Sequence, residues 1–94
     1  MGGLAFPIVS RVVGVPPSEP TNDRSYLRAF GRRVKVLRVG ADLTQEQLAE
    51  LAGLSRQYLG LLERGEQSID LLRLRRLANA LGVDLGALLD VQAG

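Results

Sequence analysis

The stretch 43-LTQEQLAELAGLSRQYLGLLERGEQS-68 decides the fold. Thr44 followed three residues later by Gln47 fits a capping box, in which the threonine hydroxyl accepts a backbone N–H and the glutamine reaches back. A helix over Gln45–Ala52 follows, with Leu48, Ala49 and Ala52 on its inner face, and Gly53 stops it. Ser55 is the next N-cap, and a second helix runs from Arg56 to Arg64 with Leu59 and Leu62 inside, stopped by Gly65. Each helix spans fewer than three turns, and neither would be stable alone in water. Their value therefore lies in their mutual geometry: Ala49 allows close approach and Gly53 allows a sharp turn.

Two short helices joined in this way form a helix-turn-helix unit, whose second helix presents its N-terminal end outward. Free N–H groups and the positive end of the helix dipole make that end suited to phosphate. An acid would serve the isolated helix better there, yet the chain places Arg56 and Gln57. Arginine can address guanine and glutamine adenine along the edges of base pairs.

Outward from this unit the pattern stays helical. In 25-SYLRAFGRRVKVLRVG-40, Leu27, Phe30, Val34 and Leu37 recur at steps of three and four, and Gly40 is placed to end the helix. Ser68 is expected to cap a fourth helix, Ile69–Leu81, carrying Leu72, Leu77, Ala78 and Leu81 inside, with Gly82 as its stop. Asp84 is expected to cap a short fifth helix through Leu89. The expected fold is all-α, a compact five-helix domain over residues 24–94. Residues 1–23 read as an N-terminal extension and linker: 4-LAFPIVSRVV-13 is β-branched and lacks a partner strand, and 16-PPSEPTND-23 is proline-rich. The extension is either disordered or an arm that pairs with its copy in a dimer.

Composition narrows the chemistry. Hydrophobic residues make up 46% of the chain but aromatic ones only 4%, so the core has to be aliphatic. With no cysteine there are no disulfides, thiolate metal sites or cysteine nucleophiles. With no histidine, imidazole acid–base catalysis and Ser-His-Asp triads are also out. The expectation is a non-enzyme without metal or cofactor. Net charge is only +2, but Arg24, Arg28, Arg32, Arg33, Lys35 and Arg38 cluster without an intervening acid. Arginine favours planar, bidentate contacts to phosphate or bases, although such a run is also what a solvated helix face looks like. No segment reaches the ~18 apolar residues of a membrane span, and the first residues lack a basic signal-peptide region, so a cytoplasmic protein is expected.

Residues 30-FGRRVKVLRVGADLTQEQLAELAGLSRQYLGLLERGEQSIDLLRLRRLANALGVDLGALL-89 resemble the phage repressor and Cro type of helix-turn-helix domain, also called the Xre family. The resemblance rests on RRVKVLR, LTQEQLAELAGLS, LLERG and LANALGV together, and covers 60 of 94 residues. It implies a bacterial or phage-encoded transcriptional regulator, most simply a repressor, whose recognition helix 56–64 enters the major groove of double-stranded DNA. It implies that Arg56 and Gln57 read bases, that Tyr58 touches the DNA backbone or a thymine methyl, and that Gln45 clamps a phosphate while bracing the recognition helix. Arg64 and Ser68 match the loop that meets phosphates beyond that helix; Thr44, Ser55 and Arg33 join the expected phosphate contacts. Arg38 and Glu63 resemble a structural ion pair linking helix one to the end of helix three. The chain departs from the pattern at Gly60, Leu61 and Glu66: Leu61 occupies a base-reading position and could pack on a thymine methyl, Gly60 has no side chain, and Glu66 replaces a common basic contact.

One such unit covers half a DNA site, so a homodimer on a palindromic operator is expected. Its interface is assigned to the last helix through Leu85, Leu88, Leu89 and Val91, with the N-terminal arm as the alternative. The rival function is an antitoxin-like module that binds a protein partner through the fold and the N-terminal segment.

Overall fold

The computed structural model describes residues 20–91. The expectations for the apolar stretch 4–13, as dimer arm, disordered tail or partner-binding segment, lie outside the described residues. Among the described residues five helices follow one another: α1 (Pro20–Gly40), α2 (Gln45–Ala52), α3 (Arg56–Glu63), α4 (Leu71–Leu81) and α5 (Leu85–Leu89). Among the described residues there is no strand. The all-α reading and the five-helix order therefore hold.

The local signals set most boundaries. At α2 both halves of the capping box form: Gln47 N donates to Thr44 Oγ1 at 3.0 Å and Thr44 N to Gln47 Oε1 at 2.9 Å. Gly53 ends α2 in the left-handed conformation (φ 70°), its N–H reaching the carbonyls of Ala49 and Glu50. At α3 the Ser55 hydroxyl accepts from Tyr58 N at 3.0 Å.

Three boundaries differ from expectation. α1 begins at Pro20, inside the stretch read as linker, because a proline is well suited to the first helical position, where its missing N–H costs nothing. Gly40 does not act as the stop: it is still helical, and Asp42 takes the left-handed backbone (φ 62°), one of the few side chains that tolerate it. α4 is capped by Asp70, not Ser68, with Arg73 N donating to Asp70 Oδ1 at 2.9 Å. The inner face follows the steps of three and four from Leu74, and Leu72, five residues before Leu77, falls off that stripe. Leu74, Leu77 and Ala78 are buried, whereas Leu72, expected inside, is 61% exposed.

The core is aliphatic apart from Phe30. Phe30 and Val34 from α1, Leu48, Ala49 and Ala52 from α2, Leu59 and Leu62 from α3, Leu74, Leu77 and Ala78 from α4, and Leu88 from α5 form one buried cluster. α2 packs on α3 and α4, α1 on α3, and α5 closes the cluster against α1 and α4. Leu88 is fully buried there, so it belongs to the core and drops out of the expected dimer surface.

The α1–α3 contact depends on a residue with no side chain. A Cβ at Gly31 would lie 2.5 Å from the carbonyl oxygens of both Leu62 and Glu63, closer than any packed carbon can sit. A Cβ at Gly65 (φ 76°) would lie 2.7 Å from Arg28 Cα. These two glycines let α1 lie against the end of α3 backbone to backbone. Gly31→Ala should therefore destabilise the fold by about 2–3 kcal/mol, because the obstacle is main chain and cannot rotate away. Gly40→Ala, where an added Cβ meets nothing within 4 Å, should be neutral or stabilise by up to about 1 kcal/mol. Urea unfolding of the two variants measures the contrast.

Candidate nucleic-acid interface

The N-terminal end of α3 is the most exposed part of that helix. Ser55, Arg56 and Gln57 all face solvent, and the first turn carries no acid. Leu59 and Leu62 anchor the helix below, which leaves the two long polar side chains pointing away from the core. Beside them lies a shallow groove between the starts of α2 and α3, lined by Arg38, Thr44, Gln45, Glu46 and Arg56.

The orientation of α3 is fixed by a buried polar network. Arg38 Nε donates to Glu63 Oε2 at 2.7 Å and Arg38 Nη2 to Glu63 Oε1 at 3.2 Å, a two-pronged pair with side chains only 11% and 3% exposed. Gln45 Nε2 donates to Glu63 Oε1 at 3.0 Å, and Arg38 Nη1 donates to the carbonyl of Leu43 at 2.8 Å. Among the described residues, no buried side-chain polar atom lacks a partner. Glu63 thus ties α1 and the first residue of α2 to the end of α3, and Arg38 adds the turn before α2. Gln45 is engaged on the protein side, and its half-buried side chain opens toward the groove with Thr44 and Arg56.

The opposite edge of α3 has its own arrangement. Tyr58 is half-buried and its hydroxyl donates to the carbonyl of Ser68 at 2.8 Å, fastening the first turn of α3 to the loop before α4. Burial raises the Tyr58 phenol above its ordinary pKa, with Arg73 pulling the other way. Tyr58 is therefore anchored to the loop before α4. Leu61 is half-buried and Gly60 buried, where an added Cβ would rest against Arg64 and Gln45. Arg64 is exposed, and its Nε lies 3.3 Å from Glu66 Oε1, so this acid shares the arginine's charge. Ser68 and Thr44 are exposed.

Arg33 Nε donates to the carbonyl of Ala87 at 3.1 Å, so this side chain also braces α5 against α1. On the same side the Tyr26 hydroxyl donates to the carbonyl of Leu89 at 3.1 Å. Leu89 is 40% exposed, and Leu85 and Val91 are half-buried, so these three and not Leu88 form the apolar rim of α5.

With this geometry in view, three comparisons place the chain. Residues 34–88, more than half of it, match the helix-turn-helix family model. The chain belongs to the helix-turn-helix family. It is similar to the immunity repressor protein of Bacillus phage phi105, 45% identical over 58 residues that cover 62% of this chain and 40% of the relative. It is also similar to the control protein C.SmaI of Serratia marcescens, 47% identical over 51 residues covering 54% of this chain and 61% of that one. Among solved structures it superposes on the restriction-modification controller protein C.AhdI from Aeromonas hydrophila with a TM-score of 0.65 and 42% identity, covering 66% of this chain and 94% of that one. The chain thus spans 40–61% of the length of these two curated relatives. The resemblance to the phage repressor type read from LTQEQLAELAGLS and LLERG holds.

Glu63→Ala should leave the buried Arg38 charge without its counter-charge, keeping only the Leu43 carbonyl, and lower stability by about 3–5 kcal/mol. A paired apolar replacement, Arg38→Met with Glu63→Leu, should recover most of the loss, since a well-packed apolar pair can match a buried ion pair. Chemical denaturation of the three variants checks both outcomes.

Proposed function

We propose that the protein is a sequence-specific DNA-binding transcription regulator, acting as a repressor on a palindromic operator. The observation that carries this reading is the exposed, acid-free N-terminus of α3 bearing Arg56 and Gln57, held in one orientation by the buried Glu63 network. A helix end so presented fits the major groove, where arginine pairs with guanine and glutamine with adenine through two hydrogen bonds each. Leu61, one turn on, offers an apolar edge to a thymine methyl. Thr44 and Gln45 border the groove beside α3 and, with Ser55 at the N-cap of α3 and Arg64 and Ser68 beyond it, take phosphates, which set register without reading sequence. The names of the relatives, an immunity repressor and a control protein, support a regulatory role. No helix among the described residues is long and apolar enough to cross a membrane. On this reading the protein works in the cytoplasm, on bacterial or phage DNA.

The palindrome calls for a second copy, one DNA turn away. The surface we assign to it is the rim of α5, Leu85, Leu89 and Val91, with Tyr26 of α1 adjoining. Tyr26 and Leu89 are 38% and 40% exposed, and the hydrogen bond from the tyrosine hydroxyl to the Leu89 carbonyl holds them together.

Fluorescence anisotropy on labelled duplex from upstream of the protein's own gene, against random duplex, tests the reading. Wild type should prefer its own site by about a thousandfold or more. The double variant Arg56→Ala/Gln57→Ala should lose that margin and keep a salt-dependent residual affinity equal on both duplexes. Equal, weak binding by wild type and variant would overturn it.

Leu89→Glu places a charge on the proposed dimer surface without entering the core. The variant should remain folded, with a dimer dissociation constant raised about tenfold or more, read by analytical ultracentrifugation. Its operator affinity should fall in parallel.

A further inference from the structure

The edge of α3 away from Gln45 carries a charged device that the sequence motifs do not announce. Arg73, in the first turn of α4, lies with its guanidinium carbon 5.5 Å from the centre of the Tyr58 ring, within the range of a cation–π contact. Its Nη1 also pairs with Asp70 Oδ2, while its backbone N–H donates to Asp70 Oδ1 at 2.9 Å. Both side chains stay about half exposed, at 49% and 50%. Tyr58 is the residue after Arg56 and Gln57, and its hydroxyl is fixed to the Ser68 carbonyl. Arg73 is thereby held on the border of the surface that Arg56 and Gln57 present.

We propose that Arg73 is a further phosphate-contacting residue, stored on Asp70 and the Tyr58 ring and presented to the DNA strand on the far side of α3 from Gln45. The inference rests on the DNA-binding reading given above. A helix lying in a groove about 12 Å wide is flanked by two phosphate strands, one at each edge. Thr44 and Gln45 border one edge; at the other, Arg64 is shared with Glu66. Arg73 adds a second guanidinium there, with N–H groups that its pairing to Asp70 leaves unused. Asp70 is the opposing element. It holds the arginine in place and caps α4, and its own charge stands close to where a phosphate would arrive. A guanidinium with Nη1 on the carboxylate still has its other N–H groups free to donate to a phosphate oxygen.

The test measures DNA affinity against salt concentration for wild type, Arg73→Ala, Arg73→Lys and Asp70→Asn, on random duplex and on duplex from upstream of the gene. Arg73→Ala should weaken both by a similar factor, about five- to tenfold at low salt, and make the slope of log affinity against log salt shallower by about one. Arg73→Lys should restore the slope. Asp70→Asn keeps a side-chain acceptor for the α4 cap and removes the negative charge, so it should tighten both duplexes about two- to fivefold without loss of thermal stability. An unchanged slope in Arg73→Ala, a loss confined to the upstream duplex, or binding by Asp70→Asn that is equal to or weaker than wild type overturns the proposal. The slope is read on random duplex, so it stands or falls separately from base reading by Arg56 and Gln57, which only the ratio between duplexes reports.

Discussion

Glu63 is a carboxylate buried at the end of an eight-residue helix, and the geometry of the presented surface depends on it. Its two oxygens receive Arg38 from α1 and Gln45 from the start of α2, so one side chain joins three elements that the apolar core could otherwise let slide. Apolar contacts among Leu48, Leu59, Leu62 and Val34 are strong but carry little direction. A two-pronged guanidinium–carboxylate pair does carry direction, since both hydrogen bonds form in only one orientation. Buried ion pairs add little net stability over a good apolar packing. What this one supplies is a fixed angle for α3, and with it a fixed aim for Arg56 and Gln57.

The close approach of α1 to α3 is the second half of the same constraint. Arg38 reaches Glu63 because Gly31 and Gly65 let the two backbones meet without side chains between them. The arginines then divide into two populations. Arg33, Arg38 and Arg76 donate to main-chain carbonyls of Ala87, Leu43 and Ala52, two of which sit at the C-terminal ends of α5 and α2. Cations there complement the negative end of the helix dipole and satisfy carbonyls that the helix itself leaves open. The basic cluster of residues 24–38 is thus partly internal bracing, which its count of charges could not reveal.

Much of the fold was legible because short-range chemistry and long-range packing agree. Thr44 with Gln47, Gly53 and Ser55 each act where their local signals say they should, and the leucine spacing gives the correct inner faces of α2 and α3. The failures occur where two local signals compete. Ser68 and Asp70 are both good caps. The chain uses Asp70, whose cap Arg73 completes, and Leu72 stays outside because it is off the stripe of Leu74, Leu77 and Ala78. Gly40 and Asp42 both suit a helix end, and the less obvious one takes the left-handed backbone. Leu88 and Leu89 could not be separated by periodicity in a five-residue helix, and only the closing of the core assigns Leu88 to the inside. Gly31 gave no local signal, because its reason lies in the carbonyls of residues far along the chain.

The charge arrangement bears on how such a surface would discriminate. Non-specific affinity for DNA grows with the number of phosphates neutralised. This chain carries a net charge of only +2, and acids stand next to bases along the presented edge: Glu46 beside Arg56 in the groove, Glu66 on Arg64, Asp70 on Arg73. Each acid subtracts from the sequence-independent attraction, while Arg56 and Gln57 stay unobstructed at the helix tip. On the proposed reading, a larger share of the binding free energy then has to come from base contacts, which only the right sequence provides. A regulator built so would release random DNA readily and hold its operator, and local acids achieve this without altering the recognition helix.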